Sequence, residues 1–257
     1  MVCRFLAPCV LALSLPAPAA LAAPPLIAQY HLDANDGADS SGNAIDGTPG
    51  AGATVTAGKF GGAVRAGGAA SLIVPETSPK IGSLRPARTT VLLWVKQSGD
   101  PGFLRYLVSA GGQGPGACLG SPFALYTGYS GIPGGPGAYF YVRGTDGQTH
   151  VSNSSGASLY DGQWHMLAGT FDGRHTRLYL DGAEVGTAAD EPTEINYAIA
   201  TDGSFRIGQY SAPACGAALF PGDIDEVRVY DRALTATEIG RLAAAPGPNP
   251  PDLVPDA

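Results

Sequence analysis

Two stretches of this chain carry oxygen ligands at spacings that could do chemistry. The first is Asp33-Ala-Asn35-Asp-Gly37-Ala-Asp39-Ser-Ser-Gly42-Asn43. A hard cation such as Ca²⁺ takes roughly six to eight oxygens, and closely spaced Asp and Asn side chains with nearby carbonyls can supply them. The spacing approaches an EF-hand loop but departs from it. The glycine is displaced, Ala44 stands where the terminal Glu belongs, and no helical pattern flanks the loop. The same residues have a plainer use, because Asp and Asn close turns on their own backbone. On the residues alone the two readings stand level. The second stretch is Asp223-Ile224-Asp225-Glu226. Alternation along a strand would put Asp223 and Asp225 on one face, and two carboxyls across a cleft are the machinery of glycoside hydrolysis. Against this, Val227 and Val229 continue that face as apolar positions, and Arg228 shares the other face with Glu226 and can pair with it.

A third possibility is recognition by aromatic rings. Sugar rings stack their apolar faces on Tyr and Trp. Tyr126, Tyr129, Tyr139 and Tyr141 cluster around Pro- and Gly-rich turns, with Tyr139 and Tyr141 on one sheet face and Phe140 on the other. The alternative is that such tyrosines are partly buried structure. Trp94 and Trp164 sit in strong strands and read as core. No Gly-x-Ser-x-Gly or His-Glu-x-x-His occurs, and His31, His150, His165 and His175 are scattered. The run Gly111–Gly120 lacks the Lys-Ser/Thr of a phosphate loop and reads as a surface loop.

The elements that must position these residues read as strands. Tyr160–Gly186 holds three Asp-Gly pairs separated by short apolar runs, the pattern of consecutive antiparallel strands joined by tight turns. Other strands are expected at Leu26–Leu32, Ala63–Ala66, Ser71–Pro75, Thr89–Lys96, Arg105–Ala110, Phe123–Thr127, Ala138–Arg143, Gln148–Ser152, Glu184–Ala188, Ser204–Gln209 and Asp225–Tyr230. Asp33–Gly52 reads as a long polar loop. One short helix is expected after Thr235, where Thr235 and Glu238 have capping-box spacing. A meander of this kind must bury one face, so a sandwich or barrel follows.

Residues 1–22 have the plan of a signal peptide: Arg4, the apolar stretch Phe5–Leu15, then Ala20-Leu21-Ala22. The domain should run over 23–243 and a Pro-rich tail over 244–257. Secretion is the expected destination, extracellular or periplasmic, and removes Cys3 and Cys9. The remaining pair, Cys118 and Cys215, most simply forms one disulfide in an oxidising compartment; two buried thiols are the alternative. The net charge of −7 with no Lys/Arg cluster makes nucleic acid and anionic membrane poor partners. With 37 Gly, 22 Pro and 14% charged residues the chain is turn-rich, yet 44% hydrophobic residues can fill a core.

Three segments together resemble the concanavalin A-like, laminin-G-like jelly-roll domains of secreted bacterial proteins. They are His31-Leu32-Asp33 with Asp39-Ser40-Ser41-Gly42-Asn43 and Gly58-Lys59-Phe60-Gly61; Trp164-His165 through Leu178-Tyr179-Leu180-Asp181-Gly182; and Gly222-Asp223-Ile224-Asp225-Glu226-Val227-Arg228-Val229-Tyr230-Asp231-Arg232-Ala233-Leu234. The resemblance spans about Leu26 to Leu242. It implies an all-β, two-sheet antiparallel jelly-roll sandwich with one short C-terminal helix. It also implies a structural Ca²⁺ near the first loop, which would draw on Asp33, Asn35, Asp39, Asn43 and Asp225. The Glu-x-Asp-x-Glu strand of the laminarinase-like enzymes is missing. The expected function is therefore a non-catalytic module binding carbohydrate or a cell-surface glycoconjugate, with a protein-binding adhesion module as the alternative and a glycoside hydrolase behind both.

Overall fold

The computed structural model describes residues 26–112, 120–131, 134–154, 159–188, 190–210 and 218–248. The expected signal peptide, Cys118, Cys215 and the last nine residues lie outside these. The strands are β1 (Leu26–Tyr30), β2 (Thr48–Pro49), β3 (Thr54–Ala57), β4 (Gly62–Arg65), β5 (Leu72–Val74), β6 (Thr89–Ser98), β7 (Arg105–Gly112), β8 (Phe123–Gly128), β9 (Gly137–Arg143), β10 (Thr149–Asn153), β11 (Asp161–Phe171), β12 (Thr176–Leu180), β13 (Ala183–Thr187), β14 (Asp202–Ile207) and β15 (Asp223–Tyr230). The helix α1 (Ala236–Ala243) follows them. They form two antiparallel sheets. One has the order β13-β12-β11-β6-β15-β4-β3, with β1 also paired to β15; the other runs β10-β9-β8-β7-β14-β5-β2. Strands β2 and β3 are additions to the expected set. Their short, polar, mostly exposed edge segments carry little of the alternation that marks a strand in sequence.

The Asp-Gly pairs do two different jobs. Asp181 and Gly182 both have positive φ, 49° and 87°, and close the two-residue turn between β12 and β13. The Asp172 carboxylate accepts from the Arg174 and His175 amides to close the β11–β12 connection. Asp161 and Gly162 instead lie within β11, where the register against β6 shifts between Asp161 and Trp164. That pair makes a bulge rather than a turn.

The main core fills the space between the sheets, with Val91, Leu93, Val95, Leu167 and Phe171 facing Phe123, Phe140 and Phe205. Each such side chain contributes about 1.5–3 kcal/mol on leaving water. The sheets close tightly at Gly169, where a Cβ would come within 2.2 Å of the Phe140 ring. A second apolar layer lies on the outer face of the eight-stranded sheet. There Ile239 and Leu242 of α1 pack with Leu92, Trp94, Met166, Tyr179 and Tyr230. The helix starts on the expected capping box, with the Thr235 hydroxyl and Glu238 carboxylate each bonding the other residue's backbone.

Strand β15 departs from simple alternation. Its register against β6 shifts between Asp225 and Arg228, and Glu226 sits in the left-handed region with φ 53°. This bulge resets the faces. Ile224, Val227 and Val229 all point into the main core, while Asp225 is paired with outward Trp94 and Tyr230 lies in the outer layer. The expectation that Asp223 and Asp225 share a face with Val227 and Val229 is therefore corrected: the extra residue puts them on opposite faces.

Candidate functional site

The Asp33–Asn43 loop is built by backbone donors. The Asp39 carboxylate accepts four hydrogen bonds, from the amides of Gln29, Ser41 and Ile45 and from the Ser41 hydroxyl, all at 2.8–2.9 Å. Burial works against its charge, but these amide donors outweigh that and hold its pKa low. Asn43 donates to the carbonyls of Leu26 and Ile27, Asn35 donates to Ala53 O, and Asp33 accepts from Gly62 N. Asp225 reaches the opposite side of the same hairpin and accepts from Lys59 N at 2.7 Å and Phe60 N at 3.0 Å. Among the described residues no group of three or more His, Cys, Asp or Glu side chains is arranged to hold a metal ion. Within this set Asp225 Oδ1 is the buried oxygen without a partner, while both oxygens of Asp39 are taken up by its four donors. Asp39, Asn43 and Asp225 spend their polar atoms on backbone partners rather than converging on one point. Asp39 and Asn43 are instead staples between the loop and β1.

The carboxylates of β15 are similarly engaged. Asp223 is held by Arg65 through two bonds of 2.8 Å and by the Thr56 hydroxyl at 3.0 Å. Glu226 is fully buried between His31 Nδ1 at 2.7 Å and Arg228 at 3.0 Å. The hydrogen bond to Glu226 raises the His31 pKa against the opposing effect of burial. The carbonyl of Pro248 caps this cluster, accepting from Gln29 and Arg228, so the expected tail returns to the sheet at least that far. Asp225 is withdrawn from solvent, and burial pushes its carboxyl up to about 7.

The tyrosines form a layer on the outer face of the seven-stranded sheet. Tyr106, Tyr126 and Tyr139 are direct cross-strand neighbours on β7, β8 and β9. Their rings stack at 5.3 Å and 5.0 Å, and Tyr210 extends the row at 4.6 Å from Tyr106. Tyr141 meets Tyr126 edge-on. As expected, Phe140 takes the face opposite Tyr139 and Tyr141, and that face is the main core. Tyr126, Tyr139 and Tyr141 are nevertheless only 6%, 4% and 1% exposed, so their ring faces are not presented to solvent. Burial raises the hydroxyl pKa of each. The hydroxyls of Tyr139, Tyr141 and Tyr210 bond Gly135 O, Ser121 N and Gly120 N. This layer is a second core that holds loops onto the sheet.

The aromatic surface that remains accessible lies beside the layer. Tyr129 follows β8 and stacks on Phe103 at 6.0 Å and 26°, and Phe103 is 41% exposed. The Asp100 carboxylate fixes the pair by bonding Gly102 N, Ser130 N and the Ser130 hydroxyl, so joining the two loops. The Arg105 guanidinium lies 6.0 Å from the Phe103 ring and donates to Pro101 O, while its Nε–H is buried without an acceptor. An aromatic face, a fixed carboxylate and a guanidinium therefore meet at one end of strands β7 and β8. Phe103, Arg105, Tyr106 and Tyr210 were not singled out in the sequence. Alternation could have found Tyr106, but a register shift between Tyr106 and Val108 sends both Leu107 and Val108 inward and breaks the count.

Residues 67–240 match the family model described as the concanavalin A-like lectin/glucanases superfamily, Laminin_G_3. Among curated proteins, mouse (Mus musculus) pappalysin-1 is 41% identical over 54 residues, which is 21% of this chain and 3% of that protein's length. Domain 4 of AbnA, an extracellular GH43 arabinanase from Geobacillus stearothermophilus solved with arabinotriose, superposes with a TM-score of 0.61 at 23% identity, covering 86% of this chain and 100% of that one. The CBM40 of a Ruminococcus gnavus sialidase, solved with α2,3-sialyllactose, gives 0.55 at 17% identity, covering 77% of this chain and 98% of that one.

Proposed function

The chain belongs to the concanavalin A-like lectin/glucanase superfamily, and from that premise we propose that it is a secreted, non-catalytic module that binds carbohydrate or a glycoconjugate. The observation that carries this reading is the stacked pair Phe103–Tyr129, whose Phe ring is open to solvent beside Arg105 and Asp100. A pyranose or furanose ring can lie on such a face, with its hydroxyls answering the charged rim. That domains of this fold have been solved with arabinotriose and sialyllactose agrees with it. The carboxylates argue for binding over cleavage. A glycosidase needs an acid and a nucleophile or base free in a cleft, whereas Asp223, Asp225 and Glu226 are bound to Arg65, to two amides and to the His31–Arg228 pair. No helix among the described residues is long and apolar enough to cross a membrane.

A glycan array tests the reading, with Phe103→Ala and Tyr129→Ala beside the wild type. Stacking residues at the centre of a small site carry more than about 1 kcal/mol each, so each variant should weaken the best ligand by about fivefold or more. A blank array, or a ligand held equally well by both variants, would overturn it. Hydrolysis of any bound glycan that disappears in Glu226→Gln would restore the hydrolase.

A further inference from the structure

We propose that the chain pairs with a second copy of itself along strand β3, so that one sheet runs through both copies. Four strands end the two sheets: β13 and β3 on one, β10 and β2 on the other. An edge strand offers unpaired amides and carbonyls to any strand that meets it, and folded proteins guard such edges with charge, proline, bulges or cover. Three of the four are guarded. β10 and β13 lie against each other, so closely that a Cβ on Gly186 would come within 2.3 Å of the Asn153 carbonyl oxygen. β13 also carries Glu184 and a register shift. β2 is two residues long and ends in Pro49. β3 has none of these guards. It contains no proline, its register against β4 is unbroken, and residues 47–58 hold no charged side chain.

The free groups of β3 complement themselves. The Gly58 amide donates to Gly61 O across the turn into β4, and from there the register puts the bonds to β4 on Thr56 and Thr54. The amides and carbonyls of Val55 and Ala57 therefore point away from β4, and they have no partner among the described residues. Beyond them the edge is already taken. Asn35 donates to Ala53 O, the Ala53 amide donates to Gly50 O, and the Lys59 amide donates to Asp225. An antiparallel copy centred on Thr56 sets Val55 against the partner's Ala57, and Ala57 against the partner's Val55. Each such pair exchanges two hydrogen bonds, about four in all, and every free group is used. The side chains agree. Val55 shares a face with buried Val64, yet it is 48% exposed, the most of any large apolar side chain among the described residues. The partner's Ala57 would cover it. Charge points to the same occupant. Two chains of net charge −7 repel each other, and along this uncharged stretch they can touch without setting carboxylate against carboxylate. The pairing does not depend on what the Phe103–Tyr129 platform binds.

Sedimentation equilibrium of the secreted protein from about 1 μM to about 1 mM tests this. A ladder of about four bonds is small beside a standard interface of roughly 1,200–2,000 Å², so a reversible dimer with Kd of about 0.1 mM is expected. Val55→Lys and Val55→Pro should each weaken it by about tenfold or more. The lysine brings like charges together, and the proline removes an amide that points away from β4. Exchange of the Ala57 amide should slow as concentration rises. Thr56→Cys, oxidised with diamide, should give a disulfide-linked dimer, because residues opposed in such a pair have Cα atoms about 4.5 Å apart. Thr54→Cys, which faces the partner's Gly58, should not. Phe103→Ala should associate as the wild type does. A monomer across the whole range, wild-type association in both Val55 variants, or equal cross-linking at 54 and 56 would each overturn the proposal. So would an Ala57 amide protected even at the lowest concentration, which would mean that the chain covers its own edge, or loss of the dimer in Phe103→Ala, which would place the contact at the platform.

Discussion

Removing the ionisable group of Asp225 should change how stability depends on pH. The side chain is fully buried, its Oδ2 accepts two backbone amides, and its Oδ1 has no partner. Burial is the main cause of the rise from 3.8 to about 7; the Phe60 amide opposes it, and the neighbouring Glu226 charge adds to it. The folded state therefore binds this proton more tightly than the unfolded chain does. The associated stability is fully present below the unfolded value of about 3.8 and is lost as pH rises through about 7. Between those values the unfolded chain is ionised and the folded one is not, so each pH unit removes up to about 1.4 kcal/mol. From pH 5 to pH 8 the loss sums to about 2.5 kcal/mol, a large share of a typical total of about 5–15 kcal/mol. Asp225→Asn keeps an acceptor for the Lys59 and Phe60 amides and removes the titration. Urea denaturation of both proteins at pH 5, 6, 7 and 8 reads the effect directly. The stability of the variant relative to wild type should rise by about 2.5 kcal/mol across that range. His31 also loses stability as pH rises, because its pKa is raised, but it is present in both proteins and largely cancels. Two curves that run parallel within about 0.5 kcal/mol would refute the burial argument.

Three further outcomes are expected. Cys118 and Cys215 should be bonded in the mature protein: Gly120, two residues after Cys118, donates its amide to the hydroxyl of Tyr210, five residues before Cys215, at 2.9 Å. The bond should add up to about 4.7 kcal/mol by closing a loop of about 100 residues, and two alkylatable thiols found by mass spectrometry without reductant would exclude it. Melting in calcium and in chelator should coincide, because the Asp39 carboxylate is already satisfied by four donors; a calcium-dependent rise in Tm would return the loop's oxygens to the role of ligands. Thr235→Ala should cost about 1 kcal/mol through loss of the α1 cap, with sugar binding unchanged, as measured by denaturation and by the array.

The parts of the fold legible in the sequence are those whose local chemistry admits one backbone solution. Asp181-Gly182 closes a hairpin because both residues take positive φ there. Thr235 and Glu238 cap a helix because each side chain reaches the other's amide. Tyr139, Phe140 and Tyr141 alternate because β9 is regular. What escaped reading were the bulges. Nothing about Glu226 announces a residue at φ 53°, since that conformation is imposed by its buried pairing with His31 and Arg228 and by the register of β15 on β6. The same holds for the first Asp-Gly pair, identical in sequence to the hairpin pair but absorbed within β11. Burial of the tyrosines stood only as the alternative to ligand stacking, because stacking across three strands depends on register and not on any one strand's pattern. The Asp-rich loop had two readings, and the backbone staple is the one that the hydrogen bonds describe.

The pairing of β1 with β15 has a mechanical consequence. Leu26 lies opposite Tyr230, so the first and last strands of the domain run antiparallel with their outer ends side by side. The chain continues past Tyr230 through α1 and returns to β1 at Pro248, whose carbonyl accepts from Gln29, so both flanks leave beside β1 and splicing the domain into a longer chain adds little to that chain's span. Tension on the chain that precedes Leu26 would load the β1–β15 ladder at one end and open it one hydrogen bond at a time, like a zipper. A ladder pulled in shear would share the same load over all its bonds. Resistance to peeling would come from clasps that tie down single residues: Asp39 holding the Gln29 amide, the Asn43 side chain holding the carbonyls of Leu26 and Ile27, and Glu226 holding His31. Two of these belong to the acidic loop, which on this view works as a catch that keeps the domain shut when the chain is pulled.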